Sequence, residues 1–252
     1  MSGHSKWHSI KHKKGKEDAK RGQLFSKLSH RITIAAREGG GSPDSNATLA
    51  NEIETARKYS MPMDNIKRAI AKGTGELGGG QLENMTFEGY GEGGTAIIVD
   101  VLTDNRNRAS ADVRKAFTRA NARLGETGSV AWIFEKKGVF LIKKSPEHEE
   151  DELLDLALEA GAEDLKDEGD YWEIDCDIEE FGSVKGALAT NGIETESAEL
   201  TMVPKNTVAL DADGARKVLR LIDALEDLDD VTEVYANFDI PDEVLEEEAS
   251  SI

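Results

Sequence analysis

Residues 96–124 read AIIVDVLTDNRNRASADVRKAFTRANARL. The first seven are aliphatic and largely β-branched, broken once by Asp100, which is the pattern of a short buried strand. From Asn107 the rhythm changes. Val113, Ala116, Phe117, Ala120 and Leu124 recur at intervals of three and four, which predicts a helix over 107–124 with those side chains on one face. A strand that hands over to a helix marks a mixed-layer protein.

The same alternation continues downstream. Strands are expected at Val130–Phe134, Val139–Ile142, Tyr171–Asp177, 198–203, Thr207–Leu210 and 231–238. Helices are expected at 151–165 (Leu154, Leu158, Leu165), near 180–190, and at 213–228 (Val218, Leu221, Ile222, Leu225). Within Tyr171–Asp177 the period is two, with Trp172, Ile174 and Cys176 on one face and Glu173, Asp175 and Asp177 on the other. Residues 138–204 read as a split βαβ sandwich. The flanking pieces, 95–134 and 206–240, each read βαβ, and joined they give βαββαβ, the same ferredoxin-like order. One domain (135–205) is thus expected as an insertion in another (81–134 plus 206–240).

Upstream the chain reads as helical. Leu24, Leu28, Ile32 and Ala35 predict a helix near 17–38, stopped by Gly39-Gly40-Gly41. A second is expected near 46–59 (Leu49, Ile53, Ala56) and a third near 63–72 (Met63, Ile66, Ile70), separated by Pro62. Residues 17–80 therefore form a helical domain closed by a glycine-rich linker, preceded by a flexible basic arm (1–16), and the chain ends in an acidic tail (241–252). The fold class expected is α+β, a helical N-terminal domain followed by two ferredoxin-like α/β domains.

Charge is segregated. The 252-residue chain carries a net −19, yet residues 1–75 hold 15 Lys and Arg against 7 Asp and Glu, while residues 76–252 hold 16 against 43. A front end of +8 on a body of −27 is the electrostatic footprint of a nucleic-acid-binding segment. The alternative, lysines that only solvate helix faces, accounts poorly for Lys6, Lys11, Lys13, Lys14, Lys16, Lys20 and Arg21 falling close together with only Glu17 and Asp18 against them. Lys20, Lys27 and Arg31 fall on a stripe beside the apolar face of the first helix, where they could touch phosphate. Trp7 lies among Lys6, His8 and Lys11, placed either to stack on an unpaired base or to dock on the helical domain. A second basic island, Arg106, Arg108, Lys115, Arg119 and Arg123, sits on and before the helix at 107–124. Its competing reading is ion pairing with the acidic surroundings.

Other chemistries find little support. Gly89-Tyr90-Gly91-Glu92-Gly93-Gly94 matches GxGxxG but precedes a strand instead of opening a helix, so it reads as a turn. His4, His8 and His12 are spaced like metal ligands on a helix but lack acidic or thiol partners. Cys176 is the only cysteine and faces inward, a core position. No HExxH, GxSxG or Walker signature is present. Apolar runs such as Ala96–Val99 are soon closed by a charge, and no secretory or transit segment is evident. The expectation is a cytoplasmic non-enzyme without cofactor or metal.

The combination Gly3-His4-Ser5-Lys6-Trp7, Ile10-Lys11-His12-Lys13-Lys14, Asp18-Ala19-Lys20-Arg21-Gly22, Phe25-Ser26-Lys27-Leu28, Arg37-Glu38-Gly39-Gly40, Asp44-Ser45-Asn46, Met61-Pro62-Met63-Asp64-Asn65-Ile66, Tyr90-Gly91 and Asn105-Arg106-Asn107-Arg108 closely resembles the YebC family, over essentially the whole chain. His8 and Ser9 depart slightly from the small residues common there. The resemblance implies three domains and a regulator of gene expression. Members are described as transcriptional regulators that bind DNA; mitochondrial relatives activate translation of a cytochrome oxidase subunit, and bacterial ones are linked to relief of stalled ribosomes. The functions to weigh are a DNA-binding transcriptional regulator, a translation factor associated with the ribosome and its RNA, and an adaptor whose acidic domains meet basic partners such as ribosomal or polymerase proteins. No membrane partner is expected.

Overall fold

The computed structural model describes residues 18–77, 83–103, 105–145, 150–240 and 244, with side chains from Leu24 onward. These residues form two compact units, 134–205 and the chain on either side of it.

The helical segment consists of α1 (Asp18–Gly39), α2 (Ala47–Lys58) and α3 (Met63–Gly73). Leu28, Ile32, Ala35 and Ala36 of α1 pack on Leu49, Ile53, Ala56, Met61, Ile66 and Ala69, all buried. Met63, expected inside, is 44% exposed because Pro62 opens α3 with that residue outward. Asn46 joins two helices. Its Oδ1 accepts the Leu49 N–H at 3.0 Å and caps α2, while its Nδ2 donates to the carbonyls of Ala35 and Gly40 at 2.8 Å each and closes α1. A Cβ on Gly39 would lie 2.5 Å from that amide, so the side chain fits only against glycine.

The outer α/β sheet has the order β3-β1-β2-β9, built from β1 (Glu83–Tyr90), β2 (Ala96–Thr103), β3 (Arg123–Leu124) and β9 (Val231–Ala236), each pair antiparallel. Helix α4 (Arg106–Arg119) follows β2, and α7 (Ala212–Glu226) precedes β9; both bury their apolar stripes in one core with Ile97, Val99 and Val101. β2-α4-β3 leaves β1 between its two strands, a split βαβ unit.

Strand β1 was not anticipated. Only Met85 and Phe87 alternate before Glu88 and Gly89 break the pattern, and hairpin pairing with β2 supplies what the sequence lacks. The joined βαββαβ order is accordingly replaced by a β1-β2 hairpin at the sheet centre. The GxGxxG stretch forms the hairpin turn, with Gly93 and Gly94 at positive φ and the Gly91 N–H donating to the Thr95 carbonyl at 2.8 Å. Helix α4 ends at Arg119 and not at Leu124. Asn121 takes φ 54°, the Ala122 N–H bonds back to the Phe117 carbonyl, and Arg123 leaves on β3 opposite Tyr90.

The expected strand at 130–134 is a 3₁₀ turn, Ala131–Ile133, organised by Glu88. The buried Glu88 carboxylate accepts the N–H groups of Gly128 (2.6 Å), Val130 (2.7 Å) and Ala131 (2.8 Å). Burial pushes this carboxyl up, but the three donors outweigh it and hold its pKa below the usual carboxylate value.

In the other unit, β4 (Phe134–Lys143), α5 (Glu150–Glu159), β5 (Ala162–Asp167), β6 (Tyr171–Cys176), α6 (Phe181–Thr190) and β7 (Ser197–Pro204) follow in βαββαβ order with spatial order β5-β6-β4-β7. This is the ferredoxin-like arrangement. Two expectations shift. The helix expected to reach residue 165 stops at Glu159, because Gly161 at φ 99° turns the chain into β5, which carries Leu165. Its buried residues are Leu153 and Ala157, while Leu158 is 47% exposed. Trp172, Ile174 and Cys176 join the core with Phe140 stacked on Phe181 at 4.8 Å. On the opposite face Glu173 and Asp175 are buried as well, with Lys166 on β5 paired to both. Burial, reinforced by nearby carboxylates, pushes the Cys176 thiol up to about 11, which suits a packing role. Phe134 and Pro204 are register partners, so this unit begins and ends side by side.

The returning chain forms β8 (Val208–Ala209), parallel to β10 (Phe238–Asp239). Asn237, buried, accepts the Ala96 N–H at 2.7 Å and donates to the Asn206 carbonyl at 3.2 Å, clipping the return to β2.

Replacing Glu88 by Ala strands three backbone donors and is expected to cost about 2–3 kcal/mol, read as a lower urea midpoint. Because the folded-state pKa lies below the unfolded one, the wild-type advantage over Glu88→Ala is present at neutral pH and disappears as pH falls through the carboxylate range.

Candidate nucleic-acid interface

Lys6, Trp7, His8, Lys11, His12, Lys13, Lys14 and Lys16 lie outside the described residues. Lys20 and Arg21 stand in the first turns of α1. The stripe formed by Lys27 and Arg31 faces inward. Arg31 grips Glu52, Nε to Oε2 at 2.8 Å and Nη2 to Oε1 at 2.9 Å, and reaches Glu233 of β9 at 3.3 Å. Lys27 is partly buried beside Glu233, Asp227 and Asp223. Burial lowers its pKa, and those three carboxylates counteract the effect without reversing it. The phosphate-facing stripe expected on α1 is thereby revised: at Lys27 and Arg31 it meets the protein's own acids.

Helix α3 adds cations that the periodicity reading passed over. Ile66 and Ala69 are buried, and Lys67, Arg68 and Lys72 project into solvent from the other side. Their signal was present in the positive count of the first 75 residues. Lys72 is close enough to α1 to depress the His30 pKa, adding to the larger effect of burial.

On α4 the island divides. Asn105 caps the helix, its Oδ1 accepting the Arg108 N–H at 3.1 Å. Arg108 forms a bidentate pair with Asp230, at 3.1 Å from Nε and 2.9 Å from Nη2, and Arg106 reaches Glu83 at 3.1 Å. Lys115 and Arg119 are exposed, with Val113, Ala116 and Phe117 buried on the inner face. Arg123 is exposed too but belongs to β3, so of the three cations stepping by four only Lys115 and Arg119 share the helix. Among the described residues no group of His, Cys, Asp and Glu could hold a metal ion, and no helix is long and apolar enough to cross a membrane.

The sequence matches two family profiles in tandem, "TACO1/YebC protein N-terminal domain" over residues 5–76 and "TACO1/YebC second and third domain" over residues 82–238. The chain belongs to the TACO1/YebC family. Similar TACO1/YebC proteins include a "Probable transcriptional regulatory protein" of Rubrobacter xylanophilus, 56% identical over 99% of this chain and all of that one. Another of the same name, from Dictyoglomus turgidum, is 52% identical over 98% of this chain and 99% of that one. A crystal structure of a conserved hypothetical protein from Aquifex aeolicus superposes with a TM-score of 0.80 at 45% identity, over 89% of this chain and 92% of that one. The naming of the TACO1/YebC relatives supports a regulatory role.

Arg31→Ala leaves Glu52 without its guanidinium partner in a mostly shielded site and is expected to cost about 1–3 kcal/mol of stability, between the values of surface and buried pairs. The exposed pair Lys67→Ala/Arg68→Ala should stay within about 0.5 kcal/mol of wild type in the same urea titration.

Proposed function

We propose that this protein regulates gene expression by binding nucleic acid, with duplex DNA at regulated genes as the target, through the cations of its N-terminal quarter. The observation that carries the reading is charge segregation: +8 over residues 1–75 on a body of −27. An acidic body repels a polyanion everywhere except at the cationic end, and so fixes which end approaches. Lys6, Lys11, Lys13, Lys14, Lys16, Lys20 and Arg21 supply the phosphate contacts, with Trp7, His8 and His12 among them, and Lys67, Arg68 and Lys72 extend the surface on α3. Lys115 and Arg119 of α4 form a second contact. Arg31, Lys27 and Arg108, engaged or surrounded by carboxylates, hold the protein together and are left out of the interface. Support for regulation comes from the family's curated relatives.

Contacts of this kind neutralise phosphate, so affinity falls with salt. The quadruple change Lys13→Glu, Lys14→Glu, Lys20→Glu and Arg21→Glu is expected to abolish binding of a promoter fragment at any salt where wild type binds. The urea midpoint should remain close to wild type, since these four residues bring no apolar side chain. Purified ribosomes measured beside the DNA decide the target. Tighter, salt-resistant binding to ribosomes would move the function to translation, and binding to neither would end the reading.

A further inference from the structure

Helices α4 and α7 enclose a cleft of about 490 Å³ on the outer α/β sheet's domain. Its floor is apolar and mostly small: Ala116 and Ala120 from one helix, Ala224 from the other, and Leu228 beyond. Its lips are cationic, with Lys115 and Arg119 on α4 and Lys217 and Arg220 on α7, all exposed. Glu92 and Asp112 are the acids lining it.

The two lips are not equally engaged. Lys217 is bound to Glu92 at 3.1 Å and to Asp213 at 2.9 Å, and these carboxylates raise its pKa. Lys115, Arg119 and Arg220 make no ion pair with the described residues. Three cations without an ion pair to the described residues thus line one cleft, Arg220 within the field of Asp213. Gathering like charges is unfavourable until an anion enters between them. The paired cations lie four residues apart on α4 and three apart on α7, roughly 6 and 4.5 Å along each axis. Such rows track an extended polyanion better than they enclose one compact group, and the exposed lips leave them reachable from solvent. The small floor residues leave room for a sugar or base edge against the helices.

We infer that the α4–α7 cleft binds a nucleic-acid strand by its phosphodiester backbone, with Lys217 and Arg220 as phosphate ligands opposite Lys115 and Arg119, and with Glu92 as the competing anion that a phosphate displaces from Lys217. The inference rests on the nucleic-acid reading above and adds to it a second seat, built from a helix far along the chain from the basic front end.

The full-length protein is titrated with a random-sequence duplex DNA and a single-stranded RNA of equal length, across a salt series. Lys217→Ala/Arg220→Ala should weaken binding about tenfold at moderate salt. It should also flatten the slope of log K against log salt by about 1.8 for duplex or about 1.4 for single strand, as two lost phosphates require. Glu92→Gln should tighten binding severalfold by removing one of the two carboxylates that hold Lys217. Arg220→Lys should keep the wild-type slope, which separates charge from packing. An unchanged slope in Lys217→Ala/Arg220→Ala, beside a Lys13→Glu/Lys14→Glu protein that no longer binds, overturns the cleft and leaves the N-terminal grip standing. Loss of slope in Arg220→Lys, or a cleft that retains poly-glutamate and ignores nucleic acid, overturns it as well. Wild-type protein that binds neither probe removes both readings.

Discussion

A guanidinium shared between two carboxylates couples the cationic end of this chain to its acidic body. Arg31 projects from α1, holds Glu52 of α2 within the helical segment, and extends to Glu233 on β9. Lys27 stands nearby in the field of the same β9 acid and of Asp223 and Asp227. Two cations of the first helix are thereby withdrawn from solvent. In the nucleic-acid reading proposed above, the grip therefore falls to other cations than these two.

The acidic body contrasts with the cationic end. Residues 76–252 carry forty-three Asp and Glu against sixteen Lys and Arg, a strongly negative balance. For a polyanion partner of the kind proposed, such a balance would favour approach from the cationic end, because repulsion acts before contact. Within it the body retains cations in two conditions. Some are neutralised, as Arg108 is by Asp230 and Lys137 by Glu163 and Asp177. Others, such as Lys115, Arg119 and Arg220, are left available. The difference lies in which carboxylates the fold brings within reach.

Much of the architecture was legible because its elements carry strong periodicity. Leu28, Ile32 and Ala35 announced α1, Val218, Leu221, Ile222 and Leu225 announced α7, and the alternation of Trp172, Ile174 and Cys176 announced β6. What escaped depended on partners distant in sequence. Strand β1 is too weakly patterned to stand out and exists because β2 and β3 pair with it. The end of α4 was misplaced because Leu124 keeps the helical spacing, although the left-handed turn at Asn121 sends it into a strand. The fate of the cations was the least legible. Arg31 and Lys115 look alike as charges on helices, and only tertiary placement decides that one meets Glu233 and the other an open cleft. Residues 1–16, where the sequence signal is densest, lie outside what the structure describes.

The antiparallel pairing of Phe134 with Pro204 bears on how the host domain closes around its insertion. Strands so paired leave their ends roughly 5 Å apart, so the host domain accommodates seventy-odd residues across a gap that a tight turn would span. Asn237 secures the rejoining segment to β2 from the host side. The ferredoxin-like unit is thus a cassette. The entropic cost of closing the host chain depends only weakly on how much polypeptide the insertion contains.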